Sequence, residues 1–275
     1  MEVRLATEAA PGRPENEDAA LAVGSLVAVF DGVTQPAGLD TGCHHGPAWY
    51  VRQLVARLTA AYTAAPAEAL PALLATAIDT VRVDHGGGCD LSHPGTPAAS
   101  VAMLRDLGDQ VEYLLLSDVF VVLDHRGDLA VVTDKRFERV VTSVRKAALV
   151  AGAIGTDDHI ARTRWATEQK WSHTNQPNGY WIAAADPRAA HEAVTGTAPA
   201  DRAALLTDGA ACAVEQFGLF DWASALDLLT MSGPAELIRR VRAAELGDAD
   251  GAARPRYKRH DDATASLCLF DQEHR

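Results

Sequence analysis

Four short acidic signatures punctuate the chain in a fixed order: Asn16-Glu17-Asp18, Phe30-Asp31-Gly32, Thr207-Asp208-Gly209 and His260-Asp261-Asp262-Ala263-Thr264. Carboxylates gathered from distant segments repel one another unless a divalent cation sits between them. An all-oxygen donor set of this kind selects hard ions, so Mg²⁺ or Mn²⁺ is the expected cofactor. Two such ions sharing a carboxylate and a water suit the hydrolysis of a phosphate ester. Arg13, just ahead of the first signature, supplies positive charge suited to a phosphate dianion.

Rigid elements must hold these acids, and the flanking residues suggest which. Three of the four signatures abut a run of apolar β-formers: Ser25 to Phe30, Ala203 to Leu206, and Ala265 to Phe270. A carboxylate just off the end of a buried strand is fixed yet half exposed. Apolar spacing predicts helices over Pro47 to Ala64 and from Pro66 to about Val83, the latter stopped by Gly86-Gly87-Gly88. Short runs at Ala98 to Leu104, Val111 to Leu116, Val119 to Leu123 and Leu129 to Val132 are separated by turn residues, as in antiparallel hairpins. Further on, Asp157 to Lys170, Gly218 to Leu229 and Pro234 to Ala244 read as helical, and Tyr180 to Ala184 as a short apolar run. The segment Lys135 to Ala190 carries the weakest pattern, and the loop Gly247 to Arg256 reads as mobile. Helices, then strands, then helices and a closing strand describe an α+β layered protein. No internal repeat or linker is apparent, so the expectation is one domain over residues 1–275, its first and last strands neighbours.

The bulk properties exclude several classes. The 275 residues are 48% hydrophobic, enough for a real core, and their formal net charge is -12, which argues against nucleic acid as a partner. No stretch is apolar for long enough to span a bilayer, and the start of the chain lacks the pattern of a signal peptide. Cys43, Cys89, Cys212 and Cys268 are scattered without a Cys-x-x-Cys pair, and a reducing cytoplasmic location is the simplest reading.

Arg13-x-x-Asn16-Glu17-Asp18, Val29-Phe30-Asp31-Gly32, Leu206-Thr207-Asp208-Gly209 and Asp261-Asp262-Ala263-Thr264 together resemble the successive motifs of the metal-dependent (PPM, type 2C) serine/threonine protein phosphatases. The order and placement match across nearly the whole chain. The resemblance implies a four-layer α-β-β-α sandwich of two antiparallel sheets flanked by helix pairs. It implies that Asp31 bridges two metals, that the Gly32 carbonyl binds one, and that Asp208 and Asp261 complete the other. Glu17 and Asp18 would act directly or through water, Asp118 would serve a third site, and Arg13 would hold substrate phosphate. Asp31, Asp208, Asp261 and Asp18 are thus the implied catalytic set. The implied substrate is a phosphorylated protein, attacked by water activated on the metals; a small phosphorylated metabolite and a non-catalytic binding role are the alternatives.

Two departures stand out. Val33-Thr34-Gln35 replaces the family's Met-Gly-Gly or His-Gly-Gly, so no histidine stands there as general acid. Ser117-Asp118-Val119 keeps only the acid of a Gly-Asp-Ser-Arg motif. Cys43-His44-His45, with His85, Cys89 and His93, offers soft-metal ligand types, but the spacing matches no standard zinc arrangement. These residues read instead as polar loop residues near the catalytic mouth, with His44 or His45 a second option for the proton donor. Trp165, Trp171, Tyr180 and Trp181 read as core packing, with a recognition flap the alternative.

Overall fold

A computed structural model describes residues 1–149 and 154–270. Residues 150–153 of the Lys135 to Ala190 segment, and the last five of the 1–275 span, lie outside the described residues.

The fold grows from one fully buried strand. β3 (Leu26–Gly32) reads Leu-Val-Ala-Val-Phe without a polar residue until Asp31. Because successive side chains point to opposite faces, Leu26, Ala28 and Phe30 meet one layer while Val27 and Val29 meet another. Around it, β2 (Asp18–Val23), β4 (Ala99–Asp106), β5 (Val111–Leu116) and β8 (Val194–Ala198) complete an antiparallel sheet in the order β2-β3-β4-β5-β8. The second sheet runs β1-β10-β9-β6-β7, built from β1 (Glu2–Glu8), β10 (Ala263–Leu269), β9 (Arg202–Leu206), β6 (Phe120–His125) and β7 (Asp128–Val132). Both sheets are antiparallel throughout. The chain's first strand, β1, pairs with its last, Glu2 opposite Leu269 through Glu8 opposite Ala263, whereas the Ser25 to Phe30 run read as the first strand lies in the other sheet.

Three apolar layers hold the sandwich together. Val27, Val29, Ala102 and Leu115 of one sheet pack on Val121, Ala203, Leu205 and Cys268 of the other. Helices α1 (Pro47–Ala64) and α2 (Leu70–Asp84) cover the outer face of the β3 sheet through Tyr50, Leu54, Leu58, Leu74 and Ile78. Helices α5 (Asp208–Glu215), α6 (Trp222–Ser232) and α7 (Pro234–Gly247) cover the other sheet through Leu226, Leu229, Leu237, Ile238 and Val241. The four-layer architecture is the one expected.

Between β7 and β8 the chain leaves the sandwich to form α3 (Lys135–Ala148) and α4 (Asp157–Trp171). A small separate cluster of Ala98, Tyr180, Ile182 and Ala184, with Phe137 and Val140, fixes this subregion.

Several details differ from the sequence reading. The second helix begins at Leu70, because Pro66 starts a turn instead. Tyr180 to Ala184 forms only isolated bridges, Ala99 to Ala183 and Thr174 to Tyr180. The loop after α7 is knit rather than open: the Asp248 carboxylate accepts from the Ala253 and Arg254 amides and pairs with Arg256 at 2.9 Å. The cysteines are not all scattered, since Cys43 and Cys89 form a disulfide across 46 positions of chain. No described helix is long and apolar enough to cross a membrane.

Candidate metal centre

The acids converge where strand ends of both sheets meet. The β2–β3 register puts Asp18 directly opposite Asp31, and the β3–β4 register puts Ser100 on the other side of Asp31. Like charges directly across an antiparallel pair are destabilising without compensation, so the pairing itself calls for a cation. From the second sheet, Thr207 ends the run of β9 and Asp208 opens α5. The Thr207 hydroxyl donates to Asp18 Oδ2 at 2.8 Å and accepts from the Thr264 amide at 2.9 Å, joining β2, β9 and β10 at one point. Asp118 arrives at the β5–β6 turn, where the Ser100 and Ser117 hydroxyls donate to its Oδ1 at 2.7 and 3.0 Å.

The two Asp-Gly steps have a steric cause. A Cβ on Gly32 would lie 2.5 Å from the Glu17 carbonyl oxygen, which the Gly32 amide contacts at 3.0 Å. A Cβ on Gly209 would collide with the Asp262 carbonyl. Each glycine therefore lets a neighbouring acidic segment approach its Asp.

The fourth signature divides its labour. Asp262 is buried and accepts from the Ala10 and Glu17 amides at 2.6 and 2.7 Å, so it anchors the first signature to the last. Asp261 stays half exposed and accepts from Lys258 Nζ at 2.6 Å. Glu17 accepts from the Thr34 hydroxyl and from Arg13 Nη1, the latter at 3.1 Å. Arg13 is thus beside the acids, partly committed to Glu17.

Burial first, and then mutual repulsion, pushes the carboxyl groups of Asp18 and Asp31 well above their ordinary range. The same causes raise Asp208 to about 7, with Asp261 and Asp118 the neighbours responsible. Burial raises Glu17 as well. Such a set is costly when ionised without a cation and stabilised by one, and every donor in it is a hard oxygen. The residues present therefore fit Mg²⁺ or Mn²⁺.

Two cations here were missed by sequence reading. Lys258 resists the effect of burial because Asp261, Asp208 and Asp31 hold its ammonium charged. Lys170, near the end of α4, is pulled down by burial, although Asp118 and Asp208 oppose this. The basic run Arg256 to Arg259 directly before the fourth signature was a readable signal for Lys258; Lys170 lies at the end of a segment read only as helical.

Other expectations resolve unevenly. Tyr180 and Trp181 are buried as core residues, whereas Trp165 is 41% exposed. Trp171 lines a cavity of about 40 Å³ with Thr34, Gln35, Thr167 and Tyr180. The aromatic group is therefore split between packing and a cleft wall. His44 and His45 lie against Cys43, Cys89 and Trp49, and among the described residues no hydrogen bond links them to the acids.

Solved structures share this architecture. The PPM Ser-Thr phosphatase MsPP from Mycobacterium smegmatis, crystallised with cacodylate, superposes with a TM-score of 0.57 at 18% identity, covering 98% of this chain and 99% of that one. The catalytic domain of the serine/threonine phosphatase PstP, in complex with two manganese ions, gives 0.58 at 15% identity, with 98% of each chain covered. The serine/threonine phosphatase Stp1 from Staphylococcus aureus gives 0.59 at 14% identity over 98% and 95%. No protein-family model matches the sequence, and no curated protein matches it. At these identities the likeness defines the fold: the chain has the architecture of the PPM phosphatases.

Proposed function

We propose that the chain is a Mg²⁺- or Mn²⁺-dependent phosphomonoester hydrolase acting on phosphoserine and phosphothreonine in proteins. The observation that carries this reading is the convergence of Asp18, Asp31, Asp208 and Asp261 at one end of the sandwich, with Glu17 and Asp118 at its margins. Asp31, Asp208, Asp261 and the Gly32 carbonyl would hold two ions, Glu17 and Asp18 would support them directly or through water, and Asp118 would serve a third. When bound, such ions supply Lewis acidity, making water acidic enough to attack phosphorus and neutralising the phosphoryl oxygens.

The chain's own groups do the rest. Thr207 orients Asp18, and Ser100 with Ser117 orients Asp118. Arg13, paired with Glu17 and partly exposed, would hold a phosphate oxygen. The departing alkoxide needs a proton, and no histidine stands at Val33. Lys170 is our candidate for that donor: its ammonium lies over the Tyr257 ring, and burial reduces its affinity for its proton while the charges of Asp118 and Asp208 oppose this. The test is hydrolysis of phosphopeptides by purified protein with excess Mn²⁺. Inertness toward phosphopeptides, a phosphometabolite panel and an aryl phosphate alike would overturn the catalytic reading.

Lys258 favours a second reading. Its ammonium already neutralises part of the acidic set, as in a non-catalytic relative that binds phosphoproteins without metal. Calorimetry separates the two. In a phosphatase, wild type binds Mn²⁺, and Lys258→Met binds it roughly tenfold more tightly, about 1.4 kcal/mol, because a competing charge is gone. A non-catalytic relative takes up no Mn²⁺ in either form. A cytoplasmic location is the companion proposal. It is tested by whether Cys43 and Cys89 are alkylated as thiols in protein trapped directly from cells.

A further inference from the structure

The Cys43–Cys89 pair belongs to a larger cluster. Helices α1 and α2 return the chain on itself, and Arg57 of α1 grips the Asp84 carboxylate of α2 through two contacts of 2.7 Å. This hairpin brings the loop before α1 beside the loop after α2, where the Asp90 amide donates to the Gly42 carbonyl at 2.7 Å. Cys43, His44 and His45 come from the first loop and Cys89 from the second. Their four potential ligand atoms all lie within 4.8 Å of one another.

The distances have the pattern of a coordination sphere. His45 Nδ1 lies 3.4 Å from Cys43 Sγ and 3.5 Å from Cys89 Sγ, and His44 Nδ1 lies 3.6 Å from Cys89 Sγ. A tetrahedral zinc ion with ordinary Zn–S and Zn–N bonds has sulfur-to-nitrogen edges of about 3.5 Å. The imidazoles are also held in place: His45 stacks on Trp49 with centroids 3.8 Å apart, and His85 meets it edge-on at 5.3 Å. His85 is buried, and its Nε2 has no hydrogen-bond partner among the described residues, so the floor of the cluster holds an unsatisfied polar atom. Soft thiolate and imidazole donors of this kind select Zn²⁺, in contrast to the all-oxygen centre.

We infer that the reduced protein binds a structural Zn²⁺ ion through Cys43, His44, His45 and Cys89. Opening the disulfide by a phosphine consumes one water and yields two thiols and the phosphine oxide. Metal binding then releases the two thiol protons to solvent. Rotation about the Cα–Cβ bonds lets the sulfurs part, with the two backbones already 4.4 Å apart at Cα.

The experiment titrates the full chain, reduced by a phosphine under anaerobic conditions, with Co²⁺ and then Zn²⁺. The expected result is the intense thiolate-to-cobalt absorption with tetrahedral ligand-field bands, bleached by one equivalent of Zn²⁺. Carboxylate binding at the acidic centre gives neither signal. His44→Ala/His45→Ala keeps both cysteines and hence the disulfide, which controls for folding. It should weaken zinc by more than the roughly 10–100-fold that loss of a second-shell partner costs. Cys43→Ser/Cys89→Ser should abolish the thiolate band while circular dichroism reports the fold. Absence of thiolate–cobalt absorption in reduced wild type would overturn the proposal, as would an unchanged zinc affinity and spectrum in the double histidine variant.

Discussion

Two clusters of metal-ligand residue types, one of carboxylates and one of cysteines and histidines, are built in opposite ways. The acidic centre takes hard oxygen donors from strand ends, where sheet register fixes Asp18 against Asp31 and the Thr207 hydroxyl ties both sheets together. The sulfur–imidazole cluster takes soft donors from two loops, held by a helix hairpin and one cross-link. The first gathers buried carboxyls that repel one another, so it calls for a cation. The second is satisfied in one redox state by a covalent bond. Rigid frames can hold charges that want to separate; loops need a bond or an ion to hold them at all.

The comparison breaks most sharply if the acids prove dispensable. Asp31→Asn or Asp208→Asn should lower phosphatase turnover by on the order of 10³-fold or more, at least about 4 kcal/mol in the barrier. Each should also weaken Mn²⁺ binding while leaving the circular dichroism spectrum unchanged. Retained turnover in both variants would refute the site assignment.

The sulfur cluster should matter to stability and not to chemistry. Cys43→Ala/Cys89→Ala removes a cross-link closing a sequence separation of 46, for which the chain-entropy relation gives about 4 kcal/mol. Denaturant unfolding under oxidising conditions measures this, and kcat should stay near wild type. A variant as stable as wild type would show that the helix hairpin alone holds the loops.

A third test concerns α4. Lys170→Met should slow phosphopeptide hydrolysis by about 10²-fold, the scale of a general acid, yet slow an aryl phosphate with a good leaving group far less. Equal losses on both substrates would place Lys170 in phosphate binding instead of proton transfer.

The sequence revealed these regions to different depths, for physical reasons. Pro47–Ala64 was readable to the residue because a helix starting at proline with a full apolar stripe has few alternatives. The acids of β3, β9 and β10 were readable because each follows or precedes an unbroken buried run. β1 was not: it lies at the edge of its sheet, largely uncovered, and its Glu2, Arg4 and Glu8 blur the alternation. α5 was missed because Asp208-Gly-Ala-Ala-Cys-Ala-Val-Glu is short and lacks large apolar residues to mark a face. Lys170 comes near the acids through folding alone, whereas Lys258 stands three residues before Asp261 in the chain. The Cys/His cluster was visible as residue types but dismissed on spacing. Its ligands lie on either side of a two-helix hairpin, so their linear separation carries no local signature.

The smallest expected effect bears on why the acidic centre needs a cation. In the folded, metal-free protein Asp208 keeps its proton up to about pH 7, whereas in the unfolded chain it releases it near 3.9. Between those values the folded state binds more protons than the unfolded state, so stability must fall as pH rises. Asp18 and Asp31, also raised, act in the same direction. The metal-free protein should therefore have a higher Tm at pH 5 than at pH 7.5, with roughly 2–4 °C for each kcal/mol in a chain of this size. Saturating Mn²⁺ should shrink or invert the difference, because the ion binds the carboxylates in their charged form. Asp208→Asn removes one titrating group and should flatten the metal-free profile even though it inactivates the protein. A metal-free Tm that rises through this window, or an Asp208→Asn profile that falls as steeply as wild type, would mean that the carboxyls are already neutralised from within. Lys258, 2.6 Å from Asp261, would then be the group responsible.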